Sequence, residues 1–244
     1  MINNELLNPS SVVVIGGSDD VNKPGGAVLR NLLQSSFSGP VYVVNPKADS
    51  VQGVKSYHTV EVLAREKGTR GFVILSAGFS EENREGAELE RRIVEVIDSV
   101  GGSLIGPNCT GILTSNYNGS FTSPVPQIDP RGIDFISGSG ATAIFIVDNG
   151  MRKGLKFNSV WSVGNSAQIG VEEALEYLDE SFDPQASSRI KLLYIESISK
   201  PDKFLRHASS LVRKGCRIAA IKSGSSEAGG RAASSHTGAL ASPD

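Results

Sequence analysis

Apolar positions along the chain alternate between two periods. Residues 11–17 (SVVVIGG) and 41–44 (VYVV) are short β-branched runs that predict buried strands. Between them, residues 25–34 place Ala27, Val28, Leu29, Leu32 and Leu33 on one face of a helix. A strand, a glycine turn, a helix and a second strand make the opening unit of a doubly wound parallel sheet. The alternation continues with a short charged helix predicted at 61–67 and a strand at 72–76. A long helix over 81–100 follows, with Leu89, Ile93, Val94, Val96 and Ile97 at helical spacing and carboxylates in its first turn, and then a strand at 103–106.

Residues 112–131 carry Ser, Asn and Pro without a clear period, and the domain boundary is placed there, giving domains 1–125 and 126–244. After it the alternation resumes. Strands are predicted at 133–137, 159–163, 190–195 and 217–222, and helices at 141–150, 171–177 and 203–213. The predicted fold class is α/β: a Rossmann-like domain followed by a flavodoxin-like parallel α/β domain.

Composition removes several function classes. The 244 residues carry a formal charge of −2, so no basic surplus points to nucleic acid. No apolar run approaches the roughly 20 residues that cross a bilayer, and the first residues lack a signal-peptide pattern, so a cytoplasmic protein is expected. Two cysteines, Cys109 and Cys216, lie far apart without ligand spacing, and no metal site is expected. Cys109 reads as a small buried residue at a turn, His58 and His207 as solvated, and Trp161 as domain packing.

Candidate chemistry sits at the predicted strand ends, which face the ligand crevice in such sheets. The first strand ends in Gly16-Gly17-Ser18-Asp19-Asp20, closed by Lys23-Pro24-Gly25-Gly26. This loop is longer than a dinucleotide turn, but the following helix N-terminus still offers amides to a diphosphate. The second strand ends Asn45-Pro46-Lys47, where an NAD site wants a carboxylate; a cation there suits NADP or coenzyme A, both of which carry a phosphate on the adenosine ribose. Later ends are Ser76-Ala77-Gly78-Phe79, Gly106-Pro107-Asn108-Cys109, Ser137-Gly138-Ser139-Gly140, Gly164-Asn165 and Glu196-Ser197. Ser139-Gly140, opening a helix, resembles an anion cradle, and no P-loop for ATP occurs. Near the end stands Ser235-His236-Thr237-Gly238-Ala239. An accessible imidazole among small residues is a candidate phosphoryl carrier, although taken alone the run also reads as an idle surface loop.

In this order, these motifs resemble the α-type part of the ADP-forming (NDP-forming) acyl-CoA synthetases, relatives of the succinyl-CoA synthetase α subunit. The resemblance covers nearly the whole chain. It implies a first domain that binds coenzyme A, with Gly17, Ser18, Lys23, Lys47, Ser76 and Asn108 as cofactor-binding candidates. It implies a second domain in which His236 is transiently phosphorylated, Glu196 hydrogen-bonds its ring, and Ser139 and Gly140 hold the phosphoryl group. ATP or ADP with Mg²⁺ would bind to an ATP-grasp domain or β-type subunit, with phosphate and a short carboxylic acid such as acetate as co-substrates. An oligomer is expected.

The chain departs from the family pattern in three places. Gly138 stands where Gln is usual. An apolar strand and helix expected between residues 57–59 and Gly71 have only residues 61–70 to fill them, so a βα unit is expected to be absent near Glu61-Val62. The sequence also stops at Asp244, before the second domain would finish. The competing reading is a CoA-binding regulatory module with an idle phosphotransfer site. An NADP-dependent oxidoreductase is disfavoured by the first loop and by the lack of a hydride-transfer constellation.

Overall fold

The computed structural model describes residues 2–58 and 69–224; the helix expected at 61–67 and the His236 segment lie outside the described residues. The chain opens with α1 (Asn4–Leu7), where Asn3 Oδ1 accepts from the Leu6 N–H at 3.0 Å and Leu6 and Leu7 are buried. β1 (Val12–Ile15) and β2 (Val41–Val44) pair in parallel across α2 (Pro24–Leu33). Their β-branched residues pack on the apolar helix face, with Val14, Val28, Leu29, Leu32 and Val43 in one core. A hairpin of β3 (Ser50–Val51) and β4 (Val54–Tyr57) follows, and β4 pairs in parallel with β2, so the sheet order is β1-β2-β4-β3.

β5 (Gly71–Val73) and β6 (Ser103–Ile105) are parallel neighbours linked by α3 (Arg84–Ser99), but they form a separate two-stranded sheet. The doubly wound pattern expected of the first half is therefore split among the described residues. β1 and β5 each pair on one side only, and the chain between β4 and β5 runs through residues 59–68. The apolar stripe of α3 is correspondingly under-covered: Gly86 and Ile97 are buried, while Leu89 and Val96 are 48% and 66% exposed.

The second sheet is built from β7 (Gly111–Leu113), β8 (Asn118–Ser120), β9 (Ile128–Ser137), β10 (Phe157–Ser162), β11 (Ile190–Ile195) and β12 (Arg217–Lys222), in the order β12-β11-β9-β10-β7-β8. The first four of that order are parallel, and the β7–β8 hairpin adds antiparallel to β10. Helices α4 (Gly140–Arg152), α5 (Val171–Glu180) and α6 (Pro201–Arg213) make the crossovers. Phe135, Ile136, Phe157 and Leu193 are fully buried in the sheet, as its parallel strands require.

The stretch 112–131, irregular by sequence pattern, thus holds most of a hairpin and the start of β9. Period two is silent there because polar residues are buried and satisfied. Asn31 on α2 donates its side-chain amide to Ser120 O at 2.8 Å and to Thr122 O at 3.2 Å, fastening the hairpin to the first core.

Candidate active site and cofactor loop

The candidate residues of the first half gather around the β1–α2 loop. Gly16 donates its N–H to Val44 O at 2.8 Å and has φ +75°, a left-handed turn that glycine accepts at little cost. A Cβ at Gly25 would lie 2.1 Å from Gly16 O, and one at Gly26 would lie 2.1 Å from Asp20 O, so the loop folds directly over the first turn of α2. Lys23 is the residue preceding α2, with Pro24 in the first turn and no acidic side chain there to compete with a bound anion. Asn45 carries the link to Lys47: its Nδ2 donates to Gly17 O at 2.9 Å, while its Oδ1 accepts from the Lys47 N–H at 2.9 Å. Gly17, Ser18, Lys23 and Lys47 therefore belong to one connected loop system.

A second group lies at the ends of β5, β6, β9, β10 and β11. Asn108, with φ +56°, donates its N–H to Ser76 O at 3.0 Å. Asn165 donates its N–H to Pro107 O at 2.9 Å, and a Cβ at Gly164 would approach Pro107 O and Asn108 O to 2.1 and 2.6 Å. One step further, a Cβ at Gly140 would lie 2.9 Å from Thr110 Cγ2, which puts the start of α4 against the same loop. Gly138 then faces Glu196, whose backbone N and Cγ lie 3.4 and 3.6 Å from a Cβ at 138. Ser76, Asn108, Ser139, Gly140 and Glu196 are thus neighbours in a chain of close contacts.

The α4 end is prepared for negative charge. Ser139 caps it, its Oγ accepting from the Thr142 N–H at 3.3 Å, while Ser137 Oγ accepts from the Ser139 N–H at 3.2 Å and donates to Ser139 O at 2.7 Å. The Gly140 and Ala141 amides belong to the first turn, which has no intrahelical acceptor, at the positive end of a 13-residue helix. Lys222 Nζ donates to Glu196 O at 3.1 Å and to Ser223 O at 2.9 Å, drawing together the ends of β11 and β12. His236 lies outside the described residues.

Sequence pattern missed a polar cluster that joins the two halves. Asn165 Nδ2 lies 2.5 Å from Glu81 Oε2 and 2.9 Å from Glu90 Oε2, and Asn108 Nδ2 donates to Asn165 Oδ1 at 3.3 Å. Glu81 Oε1 also accepts from the N–H of Gly78 at 2.6 Å and of Phe79 at 3.2 Å. Burial pushes the Glu81 carboxyl up, but the bonds from Asn165, Gly78 and Phe79 outweigh it and hold it below its ordinary value. No local spacing in the sequence announces a contact spanning 84 residues.

The isolated residues resolve as follows. Burial pushes the Cys109 thiol up to about 12, and its Sγ donates to Ile74 O at 3.3 Å, so it is a packing residue. Trp161 packs at 5.8 Å from Tyr177 and donates Nε1–H to Ser159 Oγ at 2.8 Å, again as core. His58 is exposed beside Asp49 at 3.2 Å. His207 corrects its expectation: it is 7% exposed, its Nδ1 2.9 Å from Asp179 Oδ2, because the amphipathic α6 turns this position toward α5. Among the described residues no cluster has metal-ligand character, and no helix is long and apolar enough to cross a membrane.

Two domain families match in order. Residues 10–67 match the CoA binding domain, and residues 130–244 match the succinyl-CoA ligase like flavodoxin domain. Acetate–CoA ligase [ADP-forming] I of Archaeoglobus fulgidus is 36% identical over 97% of this chain and 37% of its own length. The α subunit of acetate–CoA ligase [ADP-forming] II from Pyrococcus furiosus is 35% identical over 97% of this chain and 55% of its own. The chain therefore spans between about a third and just over half of these relatives. Their alignments run over 263 and 260 positions, more than the 244 residues present, so the relatives carry residues this chain lacks. The solved dinucleotide forming acetyl-coenzyme A synthetase 1 of Ca. Korarchaeum cryptofilum, in complex with phosphate and ADP, superposes with a TM-score of 0.84 at 32% identity, covering 99% of this chain and 56% of that one. Two domain families in sequence, relatives aligned along nearly the whole chain and a shared fold make this chain similar to the α-type part of the ADP-forming acyl-CoA synthetases.

Proposed function

We propose that this chain is the CoA-binding and phosphohistidine part of an acyl-CoA synthetase. In this reading it interconverts acyl-CoA, phosphate and ADP with acid, CoA and ATP. The observation that carries the reading is the adjacency of Glu196, Gly138 and the α4 N-terminus at the end of the parallel sheet, beside the Asn108 loop. A phosphoryl carrier needs an anion-stabilising helix end and a carboxylate that holds the other ring nitrogen, and both stand on neighbouring strands β9 and β11.

A phosphate oxygen attacks the thioester carbonyl, the C–S bond breaks, and CoA leaves as its thiol after taking a proton. A His236 ring nitrogen attacks the phosphorus of the acyl phosphate, and the carboxylic acid leaves as carboxylate. A β-phosphate oxygen of ADP then attacks the same phosphorus and releases the imidazole. Glu196 accepts from the other ring N–H and stabilises the cationic ring; the Gly140 and Ala141 amides face the phosphoryl oxygens.

ADP and Mg²⁺ are assigned to an ATP-grasp domain or β-type subunit. Acetate or another short acid is assigned as substrate, and Lys47 is assigned to the phosphate on the adenosine ribose of CoA. The test is ATP formation from acetyl-CoA, phosphate and ADP by the complete protein with its ATP-grasp part. Turnover that requires all three supports the reading, and CoA binding without turnover favours the regulatory module. Tighter binding of CoA than of dephospho-CoA supports the Lys47 assignment, and equal binding removes it.

A further inference from the structure

The β3–β4 hairpin performs a task that neither strand explains. Its turn residues, Gln52 and Gly53, have φ +48° and +79°, the left-handed pair of a type I′ turn. A non-glycine residue held at positive φ needs compensation, and Gln52 has three polar contacts to supply it. Its N–H donates to Asp19 Oδ1 at 2.7 Å, and its side-chain Nε2 donates to Ser18 O at 2.7 Å and to Gly26 O at 2.9 Å. One amide nitrogen thus bridges the loop after β1 to the first turn of α2, using both of its hydrogens.

The bridge sets the direction of the loop amides. In a trans peptide the C=O and the following N–H point opposite ways. Fixing Ser18 O against Gln52 therefore turns the Asp19 N–H to the far side of the loop, and Asn45 acts in the same way on Gly17 O and the Ser18 N–H. Backbone amides aimed in common are what an anionic diphosphate requires. Asp19 would oppose that charge, and its Oδ1 is occupied by the hairpin N–H.

We propose that Gln52 is a positioning residue for CoA: it staples Ser18 to Gly26 and presents the β1–α2 loop amides to the diphosphate without touching the ligand itself. This inference rests on the CoA reading above. Glutamate has the same length but donates no hydrogen, and it sets a carboxylate against two carbonyl oxygens; methionine keeps the bulk and loses both bonds.

The test is calorimetric titration of CoA into the full chain with its ATP-grasp part, comparing wild type, Q52E and Q52M, alongside steady-state kinetics and thermal melts. CoA affinity is expected to fall about tenfold in Q52E and severalfold in Q52M. The KM for CoA should rise in step, while the KM for acid and the rate of histidine phosphorylation by ATP stay at wild-type values. If Q52E does not fold, Q52M carries the same comparison. Wild-type CoA affinity in the folded variants overturns the inference and leaves the CoA reading standing. A wild-type protein that binds no CoA overturns both.

Discussion

Gly164 packs directly on Pro107: a Cβ at position 164 would lie 2.1 Å from the Pro107 carbonyl oxygen, and the residue has φ +56°. Any side chain here meets both a clash with backbone and a strained conformation. Gly164→Ala is expected to destabilise the fold by about 2–4 kcal/mol, read as a lower denaturant midpoint. A wild-type midpoint would show that the β6–β7 loop does not sit against β10 in this way.

Gly138 presents the opposite case. A Cβ there meets Glu196 N at 3.4 Å and its Cβ and Cγ at 3.6 Å, ordinary van der Waals contact. Gly138→Ala is expected to change stability by no more than about 0.5 kcal/mol, and Gly138→Gln should also fold, its side chain lying beside Glu196. Thermal melts check the first expectation. A large loss of stability would contradict the space assigned between β9 and β11.

The α5–α6 seam predicts an acid limb in stability. Burial pushes the Asp179 carboxyl up, but hydrogen bonds from Lys214, His207 and Ser210 outweigh it and hold it below its ordinary 3.8. In Glu173, burial is likewise outweighed, by Lys200, the Gly170 N–H and Lys203, and the carboxyl stays below 4.5. A depressed carboxylate contributes stability that is complete above the unfolded-state value and is lost as pH falls through the lower folded-state value. Unfolding free energy should therefore fall from about pH 5 downward. Asp179→Asn should be less stable than wild type at neutral pH and show a shallower acid limb. An equally steep limb in that variant would remove Asp179 from the account.

Cys109 and Cys216 are buried, and burial raises both thiols. Native protein at pH 8 should react with a thiol reagent only as fast as it opens, and both groups should titrate at once in denaturant. Rapid labelling of Cys109 in the folded state would contradict its packing against Ile74.

How far the sequence could be read follows from how each element is stabilised. β2, β11 and β12 match their expected bounds because continuous apolar or β-branched runs mark them. The β7–β8 hairpin escaped notice because Asn118, Gly119 and Ser120 are buried by polar partners, Asn31 among them, which no hydrophobic period records. β3 escaped because a two-residue strand has no period, and β4 because its four residues, Val54–Tyr57, include Lys55 and Ser56 and make no apolar run. The strand-end motifs Gly106-Pro107-Asn108, Ser137-Gly138-Ser139-Gly140 and Gly164-Asn165 were legible because backbone contact demands small residues. The Glu81–Asn165 and Gln52–Ser18 contacts were not, since each joins a side chain to a partner, a side chain in the first and a backbone carbonyl in the second, that only the fold supplies.

On the proposed reading the phosphoryl group passes through His236, with Glu196 as its partner. The most direct measurement is the site of phosphorylation after the complete protein, with its ATP-grasp part and Mg²⁺, is incubated with radiolabelled ATP. Acid-labile, alkali-stable phosphate is expected on His236, discharged by ADP and formed roughly a hundredfold more slowly in Glu196→Gln. Label that is absent, or that persists after His236→Ala, would contradict it.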